Sequence, residues 1–238
     1  MSFVNLMRQK DFTPDVSYEQ VRPLMKYTYA WMFVGLLVTS VIAFLTVSMP
    51  ALIELRSNRG VVFGAIIAEF VIVIALSWAL PRLTTGVAAL MFVAYSALNG
   101  FTLSILLLVY TSTSITATFI ATAGLFGTLS AFAFFTNLDL TRWQNFLFIG
   151  LIGLVIAMVV NTFLASTALS FLINIAGVLI FMALIAVDTQ KIKRLAASPE
   201  FQADGSLVAK FSIFMALELY LDFVNLFIFL LRLMGNRR

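Results

Sequence analysis

The sequence predicts an all-α integral membrane protein, a bundle of seven transmembrane helices. Apolar residues make up 62% of its 238 residues and charged residues 11%, whereas soluble domains are typically about half apolar. The apolar residues form runs of roughly 20, the length that a helix needs to cross a hydrocarbon core of about 30 Å. These runs are apolar on all sides rather than alternating, which favours helices over the strands of a transmembrane barrel.

The apolar runs fill most of the chain and leave no room for a soluble domain. Loop-forming residues separate them, as in residues 56–60 and 198–200. The first 26 residues, 1–26, are polar and lack the apolar core of a signal peptide, so we expect a cytoplasmic N-terminal segment followed by a membrane domain, 27–238. The predicted spans of that domain are 27–47, 61–80, 87–110, 115–135, 146–164, 169–187 and 211–233.

The basic residues predict which end of each span faces the cytoplasm, because cytoplasmic loops are enriched in Lys and Arg. With the N-terminus inside, ten of the fifteen basic residues lie on inside segments and five on outside segments. The last three, Arg232, Arg237 and Arg238, oppose this orientation. A final segment that turned back near Asp222 would return them inside, but 211–233 is long enough to cross fully, and seven complete spans are preferred.

Cysteine and histidine are both absent from the sequence. Disulfides, thiolate metal sites and cysteine nucleophiles are therefore excluded, and a response to pH near neutrality must come from a carboxylate or an amine. The net charge of +4 does not indicate nucleic-acid binding, because the basic residues lie at span ends, as topology signals and headgroup contacts do. The lipid bilayer is the expected partner.

Four of the eleven acidic residues lie within or at the edge of predicted spans. Intramembrane carboxylates are costly and usually face the bundle interior or a water path. On the last span the polar residues recur at i, i+4 and i+7, which places them on one helix face. Asn or Ser would form an interhelical hydrogen-bond clasp equally well without a charge, so this stripe favours a functional role over a structural one. The candidates are Glu69, Asp188, Glu218, Asp222 and the amide Asn225.

Asp188 and Asp222 would form a pH sensor if they lie within hydrogen-bonding reach. Two close carboxylates in a low dielectric cannot both ionise cheaply, so the pair would share one proton and titrate as a unit. Deprotonation would drive the two groups apart or draw a cation between them. Asn99 and Asn161, each inside a span, are expected to form interhelical hydrogen bonds. The glycine pairs 124/127 and 150/153 are expected at close helix contacts.

Two motifs give the chain a family resemblance. DTQKIK (residues 188–193), followed by LYLDFVNLF (219–227) and a short basic tail, resembles the Bax inhibitor-1 family, also called transmembrane Bax inhibitor motif proteins. The span arrangement and MFVAYSALNGFTLS (91–104) are similar to its bacterial branch. The likeness covers nearly the whole chain from Tyr27. The two aspartate motifs are specific in combination, whereas either alone would be weak.

The resemblance implies a fold and a function. It implies a seven-helix bundle in the bacterial inner membrane, with the last helix at its centre, and a pH-sensitive calcium leak gated by an aspartate pair. By motif match the pair is Asp188 and Asp222, and Glu69 corresponds to an acidic position along the proposed pore. Tight calcium sites need about six to eight oxygens, so we expect only weak, transient Ca²⁺ binding at the pair, alongside H⁺, and no other cofactor.

Two positions depart from the pattern of the family. Val187 precedes the first aspartate where many relatives have Tyr. Some members carry an arginine in the second helix that pairs with the aspartates, and the corresponding position here is Leu80, while Arg82 is expected too near the surface to replace it. A closed state held by an Arg–Asp pair is therefore in doubt for this chain.

Two other functions remain open at this point. The chain could regulate or bind a membrane-anchored AAA protease, as some bacterial relatives do, with residues 1–26 as the contact and no transport of its own. It could also be an intramembrane enzyme. However, neither aspartate follows the GxG sequence of intramembrane aspartyl proteases, and a rhomboid-type serine protease needs a histidine, so no enzyme is predicted.

Overall fold

The computed structural model describes residues 18–199, 201 and 204–238, and the regular secondary structure of this part consists of helices. Seven helical segments are long and apolar enough to cross a membrane, which confirms the predicted fold class. Short 3₁₀ helices occur at span ends: Leu80–Arg82 ends the second span, and Leu140–Trp143 begins the fifth. The α-helices are α1 Tyr18–Ser48, α2 Pro50–Ser57, α3 Arg59–Ala79, α4 Thr85–Leu103, α5 Ile105–Val109, α6 Ser112–Phe135, α7 Gln144–Leu164, α8 Thr167–Ala197 and α9 Gly205–Met234.

Several helices extend beyond the apolar runs that predicted them. α1 already includes Tyr18 and contains Pro23, so residues 18–26 of the expected N-terminal segment are helical, while residues 1–17 lie outside the described residues. α8 continues to Ala197 and α9 begins at Gly205. Apolar composition marks only the part of a helix that lies in hydrocarbon, whereas backbone hydrogen bonding continues into the polar flanks.

Two local features of the first three spans were not predicted. α2 is a short helix in the first connection, with a proline at its first position and Arg56 in its last turn. The third span is divided at Ser104 into α4 and α5. There the Ser104 hydroxyl donates to the carbonyl of Phe101 at 2.7 Å, and the Leu107 amide donates to the carbonyl of Ser104 at 3.0 Å, a tight turn of three residues.

α9 is continuous over 30 residues, about 45 Å of helix, so the last segment does not turn back at Asp222. After it the tail lies beside the connection that precedes α6, where the Thr111 amide donates to the Asn236 carbonyl at 3.1 Å. In α9, 67% of the most apolar window is buried, against 33% or less in the other six spans. A central position for the last helix stays a prediction, and this burial supports it.

The chain divides into two compact units. Unit 1 comprises the residues up to Tyr110, Arg194–Tyr220 and Arg238, and unit 2 comprises Thr111–Lys193 and Leu221–Arg237. In unit 1, α4 packs against both α1 and α3. In unit 2, Phe223 of α9 packs edge-on against Phe119 and Phe126 of α6, with ring centroids 5.5 and 5.6 Å apart.

Close helix packing occurs at glycines other than those that sequence spacing suggested. A Cβ on Gly100 of α4 would lie 2.5 Å from the carbonyl oxygen of Thr39 in α1, and one on Gly177 would lie 2.7 Å from the ring of Phe229. Among the described residues nothing lies within 4 Å of such a Cβ at residues 124, 127 and 153, and at 150 the nearest atom is at an ordinary 3.5 Å. The prediction for those glycines was wrong, because spacing does not reveal what the opposite helix presents.

Candidate functional site

The two candidate gating aspartates both lie buried in unit 2. Asp188 of α8 is 6% exposed and Asp222 of α9 is 5% exposed. The two helices are in direct contact, since Phe181 of α8 stacks on Phe229 of α9 with ring centroids 5.8 Å apart. Both carboxylates therefore belong to membrane-spanning helices that pack on each other within one compact unit.

Asp188 has a cationic partner on its own helix. Nζ of Lys191 lies 2.7 Å from Oδ1 of Asp188, and the two side chains are only 16% and 8% exposed. The pair is of the i,i+3 type, which a helix brings together locally. The resemblance implied that an arginine of the second helix takes this role in some members. At the corresponding position here Leu80 is fully buried and apolar, and Arg82 is exposed.

Other residues of the motif form hydrogen bonds from α8 to the end of α6 and to the connection that follows it. The Gln190 amide donates to the carbonyl of Leu138 at 2.7 Å and accepts from the amide of Leu140 at 2.8 Å. The Lys193 ammonium donates to the carbonyl of Phe134 at 2.8 Å, where a helix C-terminus favours a cation. We call the polar set of Asp188, Thr189, Gln190, Lys191 and Lys193 the motif cluster.

Glu218 and Asn225 are less buried than Asp222, and all three lie on one face of α9, as predicted. The Asn225 amide donates to the carbonyl of Leu221 at 2.8 Å, one turn back on its own helix. Its side chain is therefore engaged locally, whereas Asn161 fulfils the expectation of an interhelical bond, donating from α7 to the hydroxyl of Ser170 in α8 at 2.7 Å.

Glu69 belongs to a different polar set, in unit 1. Its Oε1 accepts from the hydroxyl of Thr102 at 2.8 Å, and its Oε2 lies 3.5 Å from the amide nitrogen of Asn99. Oδ1 of Asn99 accepts from the hydroxyl of Tyr220 at 3.0 Å, and that hydroxyl lies 2.6 Å from Oγ1 of Thr39. We call this set the Tyr220 chain; it joins α1, α3, α4 and α9.

The Tyr220 chain has a direction. An ionised carboxylate can only accept, and a tyrosine hydroxyl has one hydrogen to donate. With Asn99 giving its amide nitrogen to Glu69 and its oxygen to Tyr220, the bonds from Tyr220 through Asn99 to Glu69 point towards the carboxylate. The Thr39 hydroxyl also donates to the carbonyls of Gly35 and Ser96, each at 2.9 Å, so its contact with Tyr220 has no fixed direction.

Sequence reasoning missed several members of the Tyr220 chain. Glu69 and Asn99 stood out as polar residues in apolar runs, but Thr39, Thr102 and Tyr220 are residue types that are common in spans, and their partners are far away in the sequence. Gln190 and Lys193 belong to the motif quoted from the sequence, and one signal could have indicated their partners. A helix end leaves carbonyls without partners, so donors in a neighbouring motif are candidates to satisfy them.

In the part of the chain that the structure describes, no three or more Asp, Glu, His or Cys side chains are grouped so as to hold a metal ion. A calcium cage of about six to eight protein oxygens is not assembled from these side chains.

Comparison with known proteins places these sites in a family context. Residues 21–238 match the sequence model of a family described as inhibitor of apoptosis-promoting Bax1. The chain is 45% identical to the inner membrane protein YbhL of Escherichia coli K12 over 215 residues, which is 90% of this chain and 92% of YbhL. It is 41% identical to an uncharacterised protein of Rickettsia prowazekii over 92% of each chain. An uncharacterised protein of Deinococcus radiodurans is 39% identical over 99% of each chain.

Proposed function

The chain belongs to the Bax inhibitor family, the inhibitors of apoptosis-promoting Bax1, and we propose that it is a pH-sensitive cation leak, conducting calcium, in the bacterial inner membrane. Its N-terminus faces the cytoplasm. Asp188 and Asp222 share a proton and gate the path, and the protein performs no catalysis.

The register of α8 and α9 is the observation that supports this proposal. Asp188 lies seven residues after Phe181, and Asp222 lies seven residues before Phe229, its stacking partner. Seven residues are close to two full turns, so each aspartate shares the helix face of its phenylalanine. Consecutive spans run in opposite directions, so both carboxylates lie about 10 Å from the ring contact and on the same side of it.

Lys191 fits a gate of this kind. Its ammonium group stabilises Asp188 as a carboxylate when the second aspartate is protonated, and it provides the counter-charge that the arginine of other members would supply. Because Lys191 sits on the same helix as Asp188, this ion pair can persist when the proton leaves the two aspartates.

Calcium flux into liposomes containing the purified protein, measured across pH, tests the proposal. Asp222→Asn and Asp188→Asn should each change the flux and flatten its pH dependence, since a neutral amide cannot titrate. The matched control is Asp139→Asn, which removes a carboxylate paired with Arg142 in a connection outside the spans. Flux curves of both variants that coincide with that of the parent would refute the gate.

The alternative role, as a partner of a membrane-anchored protease, depended on residues 1–26. Residues 1–17 of that segment lie outside the described residues, and the helical remainder carries no feature that favours a protease. We therefore propose the leak alone.

A further inference from the structure

An apolar groove with a basic end lies in unit 1. Its volume is about 470 Å³, within the range of roughly 300–1,000 Å³ that is usual for ligand sites. It lies where α1 ends, α2 and α3 meet and the third span is divided at Ser104. The residues that define it are Arg56, Arg59, Val62, Ile66, Ser104 and Leu108.

The two arginines give one end of the groove a positive charge. Arg56 closes α2 and Arg59 opens α3. Neither forms an ion pair with Glu54 or with any other carboxylate of the described residues. Nε of Arg56 is buried and has no hydrogen-bond partner among those residues. A buried donor of this kind requires an acceptor, and a guanidinium binds phosphate particularly well.

The opposite end of the groove is apolar and partly exposed. From Arg59 to Ile66 the wall of α3 runs seven residues, about 10 Å, which stays within one leaflet of roughly 15 Å. Ile66 is 38% exposed and Leu108 is 47% exposed. The apolar wall is therefore partly exposed, and its length from Arg59 fits within one leaflet.

We propose that this groove binds an anionic phospholipid, with the phosphate held by Arg56 and Arg59 and one acyl chain along Val62, Ile66 and Leu108. A free anion would leave the apolar wall unused. A zwitterionic lipid would bring the positive charge of its own headgroup close to the two arginines. Basic pockets between transmembrane helices are typical sites for acidic headgroups.

Binding of three probes to the purified protein in detergent tests this assignment: phosphatidylglycerol, phosphatidylcholine with the same acyl chains, and inorganic phosphate. Native mass spectrometry gives the dissociation constants of the lipids, and the shift in Tm gives the effect of phosphate. Phosphatidylglycerol should bind most tightly, and Arg56→Gln should weaken it about five-fold, as expected for the loss of one charge near the headgroups. The control, Arg142→Gln, removes a charge outside the groove and should leave binding unchanged.

Val62→Trp keeps both arginines and fills the groove, so it provides an independent arm if Arg56→Gln does not fold. It should weaken phosphatidylglycerol binding at least as much as Arg56→Gln does. Equal affinity for the two lipids would overturn the proposal. So would stabilisation by phosphate alone equal to that by the lipid, which would indicate a free-anion site. An equal loss in Arg142→Gln would indicate a general effect of net charge.

Discussion

The motif cluster in unit 2 and the Tyr220 chain in unit 1 both keep polar side chains in a membrane-spanning protein, but they do so differently. In the motif cluster, cations accompany the carboxylate and the helix end: Lys191 pairs with Asp188, and Lys193 donates to a carbonyl of α6. In the Tyr220 chain, Glu69 is bonded only to neutral donors, and the bonds cross four helices. In the first set a neighbouring cation compensates the charge of the carboxylate, whereas in the second set the carboxylate is stabilised by a chain of neutral hydrogen bonds.

The difference indicates what each set can do. A carboxylate with a cation beside it is stable as a charge, and its protonation can change without loss of the helix contacts around it. A chain of neutral hydrogen bonds depends on every member, since bonds in a low dielectric polarise one another and an unpaired member is costly. We therefore expect substitutions in the Tyr220 chain to lower the free energy of unfolding, and substitutions in the motif cluster to change the response to pH.

The largest expected effect is that of Gly100→Ala. The new Cβ would lie 2.5 Å from the backbone carbonyl of Thr39, which cannot rotate away, so α1 and α4 must separate and Thr39 must leave the Tyr220 chain. We expect a loss of about 3 kcal/mol in the free energy of unfolding, measured in mixed micelles.

Gly124→Ala is the matched control for Gly100→Ala. Among the described residues nothing lies within 4 Å of its added Cβ, and alanine favours a helix over glycine by up to about 1 kcal/mol. Its stability should be unchanged or slightly raised. If both variants behaved alike, the contact between α1 and α4 would not be as close as described.

Tyr220→Phe should be the next most costly. It keeps the ring but leaves Oδ1 of Asn99 without its buried donor, while the hydroxyl of Thr39 keeps the carbonyls of Gly35 and Ser96, and we expect a loss of about 2 kcal/mol. Tyr27→Phe, at a half-exposed tyrosine of α1, is the control and should be neutral. A Tyr220→Phe variant as stable as the parent would mean that the chain contributes no stability.

Gln190→Leu removes three hydrogen bonds, against two for Tyr220→Phe, but at the end of α6. Two of its partners, the carbonyl of Leu138 and the amide of Leu140, lie in a connection where Leu138 is 63% exposed, so water can replace those bonds. The third bond, to the carbonyl of Ala133, is long at 3.4 Å. We expect a loss of about 1 kcal/mol. A loss larger than that of Tyr220→Phe would reverse the contrast drawn between the two sets.

Asp204→Ala should have the smallest effect, and one that depends on pH. Hydrogen bonds from the Ser206 side chain and backbone hold the pKa of this exposed carboxyl, at the start of α9, below its usual 3.8. A pKa lowered by folding adds stability above the unfolded value, and this stability disappears as the pH falls through the folded value. The Tm difference between variant and parent should be present at pH 7 and shrink as the pH falls below 3.8. A difference that stayed constant below pH 3.8 would show that the charge is not involved.

Much of the fold could be predicted because one physical requirement, crossing hydrocarbon, determines composition and length together. All seven spans follow from it. The division at Ser104 and the helix α2 could not be predicted, because both depend on local hydrogen bonds and on proline geometry rather than on hydropathy. Close packing was assigned to the wrong glycines, since the deciding atom at Gly100 belongs to a residue 61 positions away.

The site was predictable to a similar extent. Asp188, Asp222 and Glu69 stand out because a carboxylate in an apolar run is rare. Their partners do not stand out: Tyr220 and Thr39 look like ordinary span residues, and Lys191 looks like a membrane-surface cation. Which polar groups meet is decided by helix register, and that information is distributed over the whole packing surface.

The central claim is that Asp188 and Asp222 act as one titrating unit, and a double-mutant cycle on calcium flux tests it most directly. Flux into liposomes is measured across pH for the parent, Asp188→Asn, Asp222→Asn and the double variant. If the two carboxylates share a proton, the second substitution changes little once the first is present, because either one already abolishes the shared site. Logarithmic changes in flux that simply add would show two independent groups and would contradict the account.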